Sequence, residues 1–548
     1  MPERLRWRTL LSYLFLLTIL TSYPQLSRAA DQQSSSSQAQ PSVYQSSTVL
    51  RATTRLVVVD VVATDSKGEP VPDLKAEDFT VLEDGKPQKV SGFTFQRGNT
   101  ATLVASSGNT GGFSNAPQYK NVNSMNVILF DALNGDFASH AYGRDELIKF
   151  LDKGTLTQPT ALYALEEKLT LLHDFTTDVK ELKAVLQDFK PKGPEHVQGV
   201  YAAASPFTAR APNTNTTIRS MDITMAALNS LARALAGYPG RKNLIWISQG
   251  FPLTMFPEII FNDPNPSPGR SAPTTQTTMA MEPSFRSGAD RDFEKEVAKL
   301  ANAFMNAQVA MYPVDASGLQ KDNRLNTINT MRSLADRTGG KAFYNRNDLE
   351  VGISTSIDDG STYYTLEYYP ENKTWDGKFR VIQIRGRQGL SLRYRQGYFA
   401  LDPGVQDKDT EKKLARNFSD ALSLDSPSAT GVVFRAGVTP PTAKAQQVTV
   451  SFAIDPHTLA FEYKDGLERA TVSCAVAAFS EKGTLIKEEI SNVTAAMKAD
   501  EFEKMMKGQQ FPCKRTIELK PGSYNLTLGV VDRNSKLMGT TTAWVKVP

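Results

Sequence analysis

Oxygen-bearing side chains cluster just after one apolar run of the sequence. The run VILFDALNGD (127–136) is apolar and β-branched up to Asp131, and small and polar residues follow it. A buried parallel strand that ends in an acidic residue delivers the carboxylate to the edge of an α/β sheet, where ligands bind. Asn134, Asp136 and Ser139 come next, so the chemistries to consider are divalent cation binding, acid–base catalysis and a helix start capped by Ser139.

The common catalytic arrangements are missing from the sequence. The chain has four histidines, and none has the spacing of a zinc site such as HExxH. No GxSxG run is present, which argues against an ordinary esterase. His173 precedes Asp174 at the end of a predicted strand, where a structural hydrogen bond is the favoured interpretation. We therefore expect a non-enzymatic protein.

Alternating strands and helices must position Asp131. Buried β-rich runs at 124–131, 241–248 and 309–316 are separated by segments of helical periodicity, and a two-stranded hairpin is expected at 160–175. This alternation predicts a doubly wound, mostly parallel sheet covered by helices on both faces. Helices are expected at 139–152, 176–189, 220–237, 290–308, 326–340 and 348–360.

The first 30 residues predict export. Three arginines precede the apolar run LLSYLFLLTIL (10–20), and small residues follow near Ala29, which is the pattern of a secretory signal peptide. The apolar run is shorter than the ~20 residues of an ordinary membrane span. We expect no transmembrane span after cleavage and a periplasmic, outer-surface or secreted protein, with an uncleaved anchor as the alternative. A net charge of +4 without a dense basic tract does not favour nucleic acid binding.

Composition and turn signals divide the rest of the chain. Asp84-Gly85 lies between alternating runs and predicts a hairpin. Short strands with Pro/Gly turns recur after 429, which suits an Ig-like β-sandwich. The predicted organisation is a signal peptide at 1–30, a flexible leader at 31–48, a small N-terminal β domain at 49–97, a linker at 98–123, an α/β domain at 124–402 with insertions at 191–216 and 251–288, a linker at 403–428 and the sandwich at 429–548.

The two cysteines of the chain both lie in the predicted sandwich. Cys474 falls within a predicted strand and Cys513 just before one. In an oxidising compartment the two thiols could form a disulfide inside this domain. Two separate buried thiols are the alternative.

The order of motifs resembles the VWFA-related domain proteins described from acidobacteria, a branch of the von Willebrand factor A family. The resemblance extends over residues 53–400, with gaps at the two insertions, and implies a doubly wound sheet, export and no established reaction. The matching stretches are VVVDVVATDSKGEPVPDLKAEDFTVLEDGKPQ, NVILFDALN, LLHDFTTD, GYPGRKNLIWISQGFP, LADRTGGKAFYNRNDL, YYTLEYYPENKTWDGKFRVIQI and LRYRQGYFA.

The resemblance also implies where a metal would bind. Metal-binding VWFA domains carry Asp-x-Ser-x-Ser after the first strand, a Thr from a second loop and an Asp, often in Thr-Asp-Gly, from a third. This sequence keeps Asp131, but Leu133 and Gly135 occupy the two Ser positions, and neither side chain offers an oxygen. Gln249 stands at the third-loop position, and Thr224 is the candidate for the second-loop Thr. A hard dication such as Mg²⁺ rarely binds where so few of these oxygen ligands remain.

We therefore expect a degenerate metal site and no required cofactor. The candidate ligands of a remodelled Mg²⁺ or Ca²⁺ site are Asp131, Asn134, Asp136, Ser139 and Thr224. The alternative is that Asp131 only accepts hydrogen bonds from its own turn or caps the next helix.

The expected function is protein–protein interaction or scaffolding at the bacterial cell envelope. Asp131 and Gln249 are expected on the partner-binding face, because ligands bind at this edge of doubly wound sheets. One alternative is a metal-dependent adhesion module that uses Asp131, Asn134 and Asp136. The other, less favoured, is an envelope hydrolase. The sequence identifies neither the protein partner nor the oligomeric state.

Overall fold

The computed structural model of the 548-residue chain describes nine ranges of residues. The predicted signal peptide and leader, all of the insertion at 251–288 and most of the insertion at 191–216 lie outside them. Within the described ranges, no helix is both long enough and apolar enough to span a bilayer. The ranges are 56–97, 102–103, 112–120, 122–191, 214–249, 293–319, 325–400, 408–442 and 447–548.

The described strands and helices are as follows. The strands are β1 (Val57–Thr64), β2 (Thr80–Glu83), β3 (Lys86–Gln88), β4 (Val90–Arg97), β5 (Thr102–Leu103), β6 (Gly112–Ser114), β7 (Tyr119–Lys120), β8 (Ser124–Asp131), β9 (Thr160–Leu165), β10 (Leu169–Thr176), β11 (Arg241–Ser248), β12 (Val309–Asp315), β13 (Thr362–Tyr368), β14 (Phe379–Arg385), β15 (Ser391–Arg393), β16 (Gly397–Phe399), β17 (Phe434–Thr439), β18 (Val448–Ile454), β19 (Glu462–Lys464), β20 (Leu467–Ser480), β21 (Leu485–Met497), β22 (Phe511–Ile517), β23 (Gly522–Asp532) and β24 (Met538–Val547). The helices are α1 (Phe137–Lys153), α2 (Val179–Asp188), α3 (Thr214–Leu235), α4 (Phe293–Asn306), α5 (Leu325–Thr338), α6 (Leu349–Ser361), α7 (Lys408–Ala421) and α8 (Ala499–Met506).

The α/β domain contains one five-stranded sheet in the order β10-β9-β8-β11-β12. Strands β9, β8, β11 and β12 are parallel, and β10 pairs with β9 in the antiparallel direction. Every residue of β8, β11 and β12 is buried. Helices α1, α2 and α6 contribute to the core on one face, and α3, α4 and α5 to the core on the other. The predicted α/β alternation, with both sheet faces covered, is confirmed.

The N-terminal strands share their sheets with strands from far along the chain. Two antiparallel four-stranded sheets have the orders β15-β1-β13-β4 and β16-β14-β2-β3. Apolar side chains of both sheets form one core, to which Val59, Leu366 and Ile382 contribute. Asp84 and Gly85 both have positive φ, as a tight hairpin turn between β2 and β3 requires. We call residues 56–97 with 362–400 the N-terminal β unit.

This grouping differs from the domain ranges expected from sequence. Residues 362–400 follow the α/β domain in the chain, so local patterning assigned them to it. Their strands pair instead with β1 and β2. The reason is that the backbone hydrogen bonds of β1 and β13 are made to strands about 300 residues away in the chain. Hydrophobic periodicity carries no information about such distant partners.

Two antiparallel sheets face each other in the C-terminal region. One has the order β22-β18-β17-β6, and the other pairs β20 with β19, β21 and β23, with β24 beyond β23. Their inner faces share a core, across which a disulfide joins Cys474 of β20 to Cys513 of β22. The Ig-like assignment of this sandwich stays a prediction.

Both predicted linkers contain ordered structure that belongs to the sandwich. Within 403–428, α7 buries Leu414 and Phe418 against Ala475 and Ala477 on the outer face of a sheet. Within 98–123, β6 pairs with β17. Both segments are polar overall, which explains why composition alone suggested linkers.

Candidate functional site

The candidate site lies where the chain reverses direction across the parallel sheet. The chain proceeds from β8 to β9 on one side, and β11 returns to the other side of β8. Such a switch point leaves a crevice at the carboxyl ends of the two central strands. Asp131 ends β8 and Ser248 ends β11, so the fold brings the two residues together across 117 positions of sequence.

Both carboxylate oxygens of Asp131 are occupied by protein donors. The Oδ1 atom accepts hydrogen bonds from the backbone N–H groups of Leu133 (3.0 Å) and Asn134 (2.9 Å). The Oδ2 atom accepts from the Trp246 indole at 3.2 Å and the Ser248 hydroxyl at 2.8 Å. It also accepts from the Asn134 side chain at 3.0 Å. With Asp131 only 1% exposed, these five bonds use the acceptor capacity of a carboxylate.

Asn134 connects this turn to a helix on the far side of the crevice. Its amide nitrogen also donates to the Thr224 hydroxyl at 3.0 Å, and Thr224 in turn donates to the Ser220 carbonyl at 2.7 Å. Thr224 is fully buried. The residue that the resemblance nominated as a metal ligand therefore lies at the site, where its hydroxyl is held between an amide and a helix carbonyl.

Asp136 caps α1 and binds Gln249 in a reciprocal pair. Its Oδ1 atom accepts from the Ser139 backbone N–H at 2.8 Å, so Asp136, and not Ser139 as sequence suggested, is the N-cap. The Gln249 amide donates to Asp136 Oδ2 at 2.9 Å and accepts from the Asp136 backbone N–H at 2.6 Å. Burial acts to raise the pKa of Asp136, but hydrogen bonds from Ser139 and Gln249 outweigh it, and the pKa lies below its usual value.

The space that a serine would need at position 135 is already filled. A Cβ added to Gly135 would lie 2.8 Å from Nε2 of His140 and 3.0 Å from Cβ of Gln249. His140 is 3% exposed, and neither ring nitrogen has a hydrogen-bond partner. Burial lowers the pKa of His140, although Asp131 and Asp136 act in the opposite direction. The ring thus packs against Gly135, where the resemblance implies the second serine.

Two large apolar side chains are exposed at the same edge of the sheet. Phe137, the first residue of α1, is 75% exposed, and Leu319, four residues past the end of β12, is 65% exposed. Strands β8 and β12 are separated only by β11, which places their ends ~10 Å apart. Both residues therefore lie at the edge of the sheet that holds Asp131 and Ser248.

The residues present do not fit an octahedral dication. Mg²⁺ takes about six oxygens at about 2.0–2.1 Å. Leu133 and Gly135 supply none, and the Asp131 oxygens already accept five hydrogen bonds. Among the described residues, no group of three or more His, Cys, Asp or Glu side chains is placed to hold a metal ion.

The six site candidates from the sequence form two hydrogen-bonded groups at this edge of the sheet: Asp131 with Asn134 and Thr224, and Asp136 with Ser139 and Gln249. Sequence reasoning did not identify Trp246, His140, Phe137 or Leu319 as parts of the site. Trp246 had one signal, since it lies two residues before the end of a strand predicted to border the crevice. The other three had none, because exposure and side-chain packing are not visible in sequence.

Comparisons with known sequences give no relative. No protein-family model matches the chain. No curated protein matches it either.

Comparisons with solved structures give distant similarities. Proximal thread matrix protein 1 from the mussel byssus is 11% identical, with a TM-score of 0.25, over 44% of this chain and 48% of that one. The chain thus spans about half the length of that protein. The vWF domain of the type V pili tip protein Mfa5 from Porphyromonas gingivalis is 14% identical, with a TM-score of 0.26, over 43% and 96% of the two chains. A von Willebrand factor type A structure from Catenulispora acidiphila is 9% identical, with a TM-score of 0.25, over 84% and 74%. TM-scores below 0.5 do not establish a shared fold.

Proposed function

We propose that this chain is an exported, non-enzymatic, VWFA-like protein that binds a protein partner at the cell envelope without a bound metal ion. The observation that carries the proposal is the saturated carboxylate of Asp131. Its five neutral donors satisfy the carboxylate oxygens and fix the turn after β8, which are roles of the coordinated cation in a metal-binding relative. Recognition then depends on the shape and polarity of the loops around the turn.

The apolar pair beside the crevice supplies the contact surface. Phe137 and Leu319 are largely exposed, which costs free energy in water and favours burial against a partner. The Asp136–Gln249 pair between the two strand ends gives the surface a fixed polar centre.

Export and the absence of catalysis rest on other features. The signal-peptide pattern at 1–30 supports export. Among the described residues at the crevice, the imidazole ring of His140 makes no hydrogen bond to a nucleophile or an acid, which supports a non-enzymatic role.

The test is chemical crosslinking to envelope proteins with a matched pair of variants. The Phe137→Ser/Leu319→Ser double variant removes the apolar surface. The control, Tyr463→Ser, removes an aromatic ring that is 67% exposed on the C-terminal sandwich. We expect the wild-type set of crosslinked proteins to persist in EDTA, to disappear in the double variant and to remain in the control. A set that disappears in EDTA and returns with Mg²⁺ would overturn the proposal.

The second candidate is a metal-dependent adhesion module with a remodelled site. It is favoured by one observation: Asp131, Asn134 and Asp136 occupy a single loop, with two carboxylates within six residues. Calorimetric titration with Mg²⁺, Mn²⁺ and Ca²⁺ separates the two candidates. Saturable heat that is lost in Asp131→Ala would select the metal-dependent module.

A further inference from the structure

A second polar site lies at the opposite end of the parallel sheet, where the N-terminal β unit packs on the α/β domain. A cavity of about 20 Å³ lies among residues of both parts. This volume is enough for one small occupant, such as a water molecule or a halide ion. The polar residues that line it are Asp60, Arg241, Gln308, Thr338 and Arg395.

The two arginines differ in how they are held. Arg241 is 2% exposed, and its guanidinium donates to the Tyr312 hydroxyl at 3.1 Å and the Gly339 carbonyl at 2.7 Å. Arg395 has a buried Nε with no hydrogen-bond partner, and burial lowers its pKa. Arg395 as a whole is half-buried, but a buried N–H group without an acceptor is costly, so an acceptor for Nε would stabilise the fold.

Positive charge exceeds negative charge around the cavity. The carboxylates within electrostatic range are Asp60 and Asp359, and burial raises the pKa of Asp359 despite Arg393 and Arg241. Arg393 forms an ion pair with Asp359 outside the cavity. The charged residues that line the cavity are Arg241, Arg395 and Asp60, which leaves a net charge of about +1.

A fourth cationic group lies beside the cavity. Lys242 follows Arg241 on β11 and is 1% exposed. Burial lowers its pKa to about 7, although Asp60 acts in the opposite direction. Even with Lys242 neutral, the charge at this interface is incompletely balanced.

We propose that the cavity is a binding site for one small monovalent anion of chloride size, held between Arg241 and Arg395. The ion supplies the acceptor that Arg395 lacks and balances the excess positive charge. Gln308 offers a neutral polar group on another wall, whereas the Thr338 hydroxyl donates to the Leu334 carbonyl. The site joins β1 and β15–β16 of the N-terminal β unit to β11 of the α/β domain, so the anion links the two parts.

The solution test compares halide dependence at fixed ionic strength. Thermal unfolding of the full chain is measured while sodium chloride replaces sodium gluconate. We expect the midpoint of the wild type to rise with the logarithm of chloride concentration, because a ligand of the folded state alone stabilises by mass action. Arg395→Met should lose this dependence. The control Arg387→Met removes an exposed arginine from the neighbouring segment and should keep it.

A direct test on the wild type decides the case even where Arg395→Met fails to fold. Crystals grown in sodium bromide should show an anomalous bromide peak between the two guanidinium groups. The chloride NMR signal should also broaden when the protein is added and narrow again when bromide competes for the site. A water molecule in place of bromide, with no chloride broadening, would overturn the proposal. A chloride effect equal in all three proteins is general salt stabilisation and counts against it.

Discussion

Replacing Asp131 by alanine tests whether this acid is held by the protein or by a metal. The substitution removes the acceptor of five hydrogen bonds within a site that is 1% exposed. A hydrogen bond to a charged group contributes roughly 1.5–3 kcal/mol. Relaxation of Asn134 towards water and relief of the carboxylate's own burial offset much of this sum. We expect Asp131→Ala to lower the free energy of unfolding by about 3–5 kcal/mol.

The assay is urea unfolding followed by tryptophan fluorescence, since the Trp246 indole donates directly to Asp131. Each protein is measured in EDTA and in excess Mg²⁺. The matched control is Asp145→Ala, which removes an exposed carboxylate from α1 and should change stability by less than about 0.5 kcal/mol. We expect Asp131→Ala to lower the free energy of unfolding by the same amount in EDTA and in excess Mg²⁺.

Two results would refute the reasoning. If Asp131→Ala lowers the free energy of unfolding no more than the Asp145→Ala control does, the five hydrogen bonds do not stabilise the turn. If EDTA lowers the stability of the wild type as much as the substitution does, the partner of the carboxylate is a metal ion. The second result would also favour the adhesion module over metal-independent binding.

Three further predictions follow from other contacts. Gly135→Ser places a Cβ 2.8 Å from the His140 ring, so we expect the free energy of unfolding in urea to fall by about 1–3 kcal/mol. We also expect calorimetry to show no heat of Mg²⁺ binding to this variant. A stable variant that binds Mg²⁺ would contradict the crowding argument. Burial holds the pKa of His140 below its usual 6.5. The contribution of this residue to folding stability should therefore be fully present above pH 6.5 and be lost as the pH falls below that value. A pH series of urea midpoints should become flatter in His140→Gln but not in the control His173→Gln. Removing the disulfide by Cys474→Ala/Cys513→Ala opens a cross-link with a sequence separation of 39 and should cost the C-terminal sandwich about 4 kcal/mol, as measured by thermal unfolding; an unchanged midpoint would argue against the cross-link.

Local patterning was sufficient for the elements of the α/β domain. The run at 241–248 is continuously apolar at its centre and forms β11 over the same residues. The hairpin at 160–175 appears as β9 and β10, because two β-rich runs separated by charged residues can pair only with a tight turn. In both cases the information lies within about ten residues of sequence.

Local patterning was insufficient where a segment is stabilised by distant partners. The polar stretch before β7 contains β6, whose neighbour Asn115 donates to the carbonyls of Ala429 and Val432 and accepts from the Phe434 N–H. Those groups lie more than 300 residues away. The residues of α7 are mostly polar, and only the tertiary structure shows that its apolar side, with Leu414 and Phe418, packs on β20.

The same division holds at the crevice. The sequence by itself determined that an acid ends the first parallel strand and that Leu133, Gly135 and Gln249 stand where the resemblance implies metal ligands. Only the tertiary structure decided what replaces them: the indole of Trp246 and the hydroxyl of Ser248 bind the acid, and His140 fills the vacated space. The physical reason is that residue types are local properties, whereas hydrogen-bond saturation and packing depend on which distant strands become neighbours.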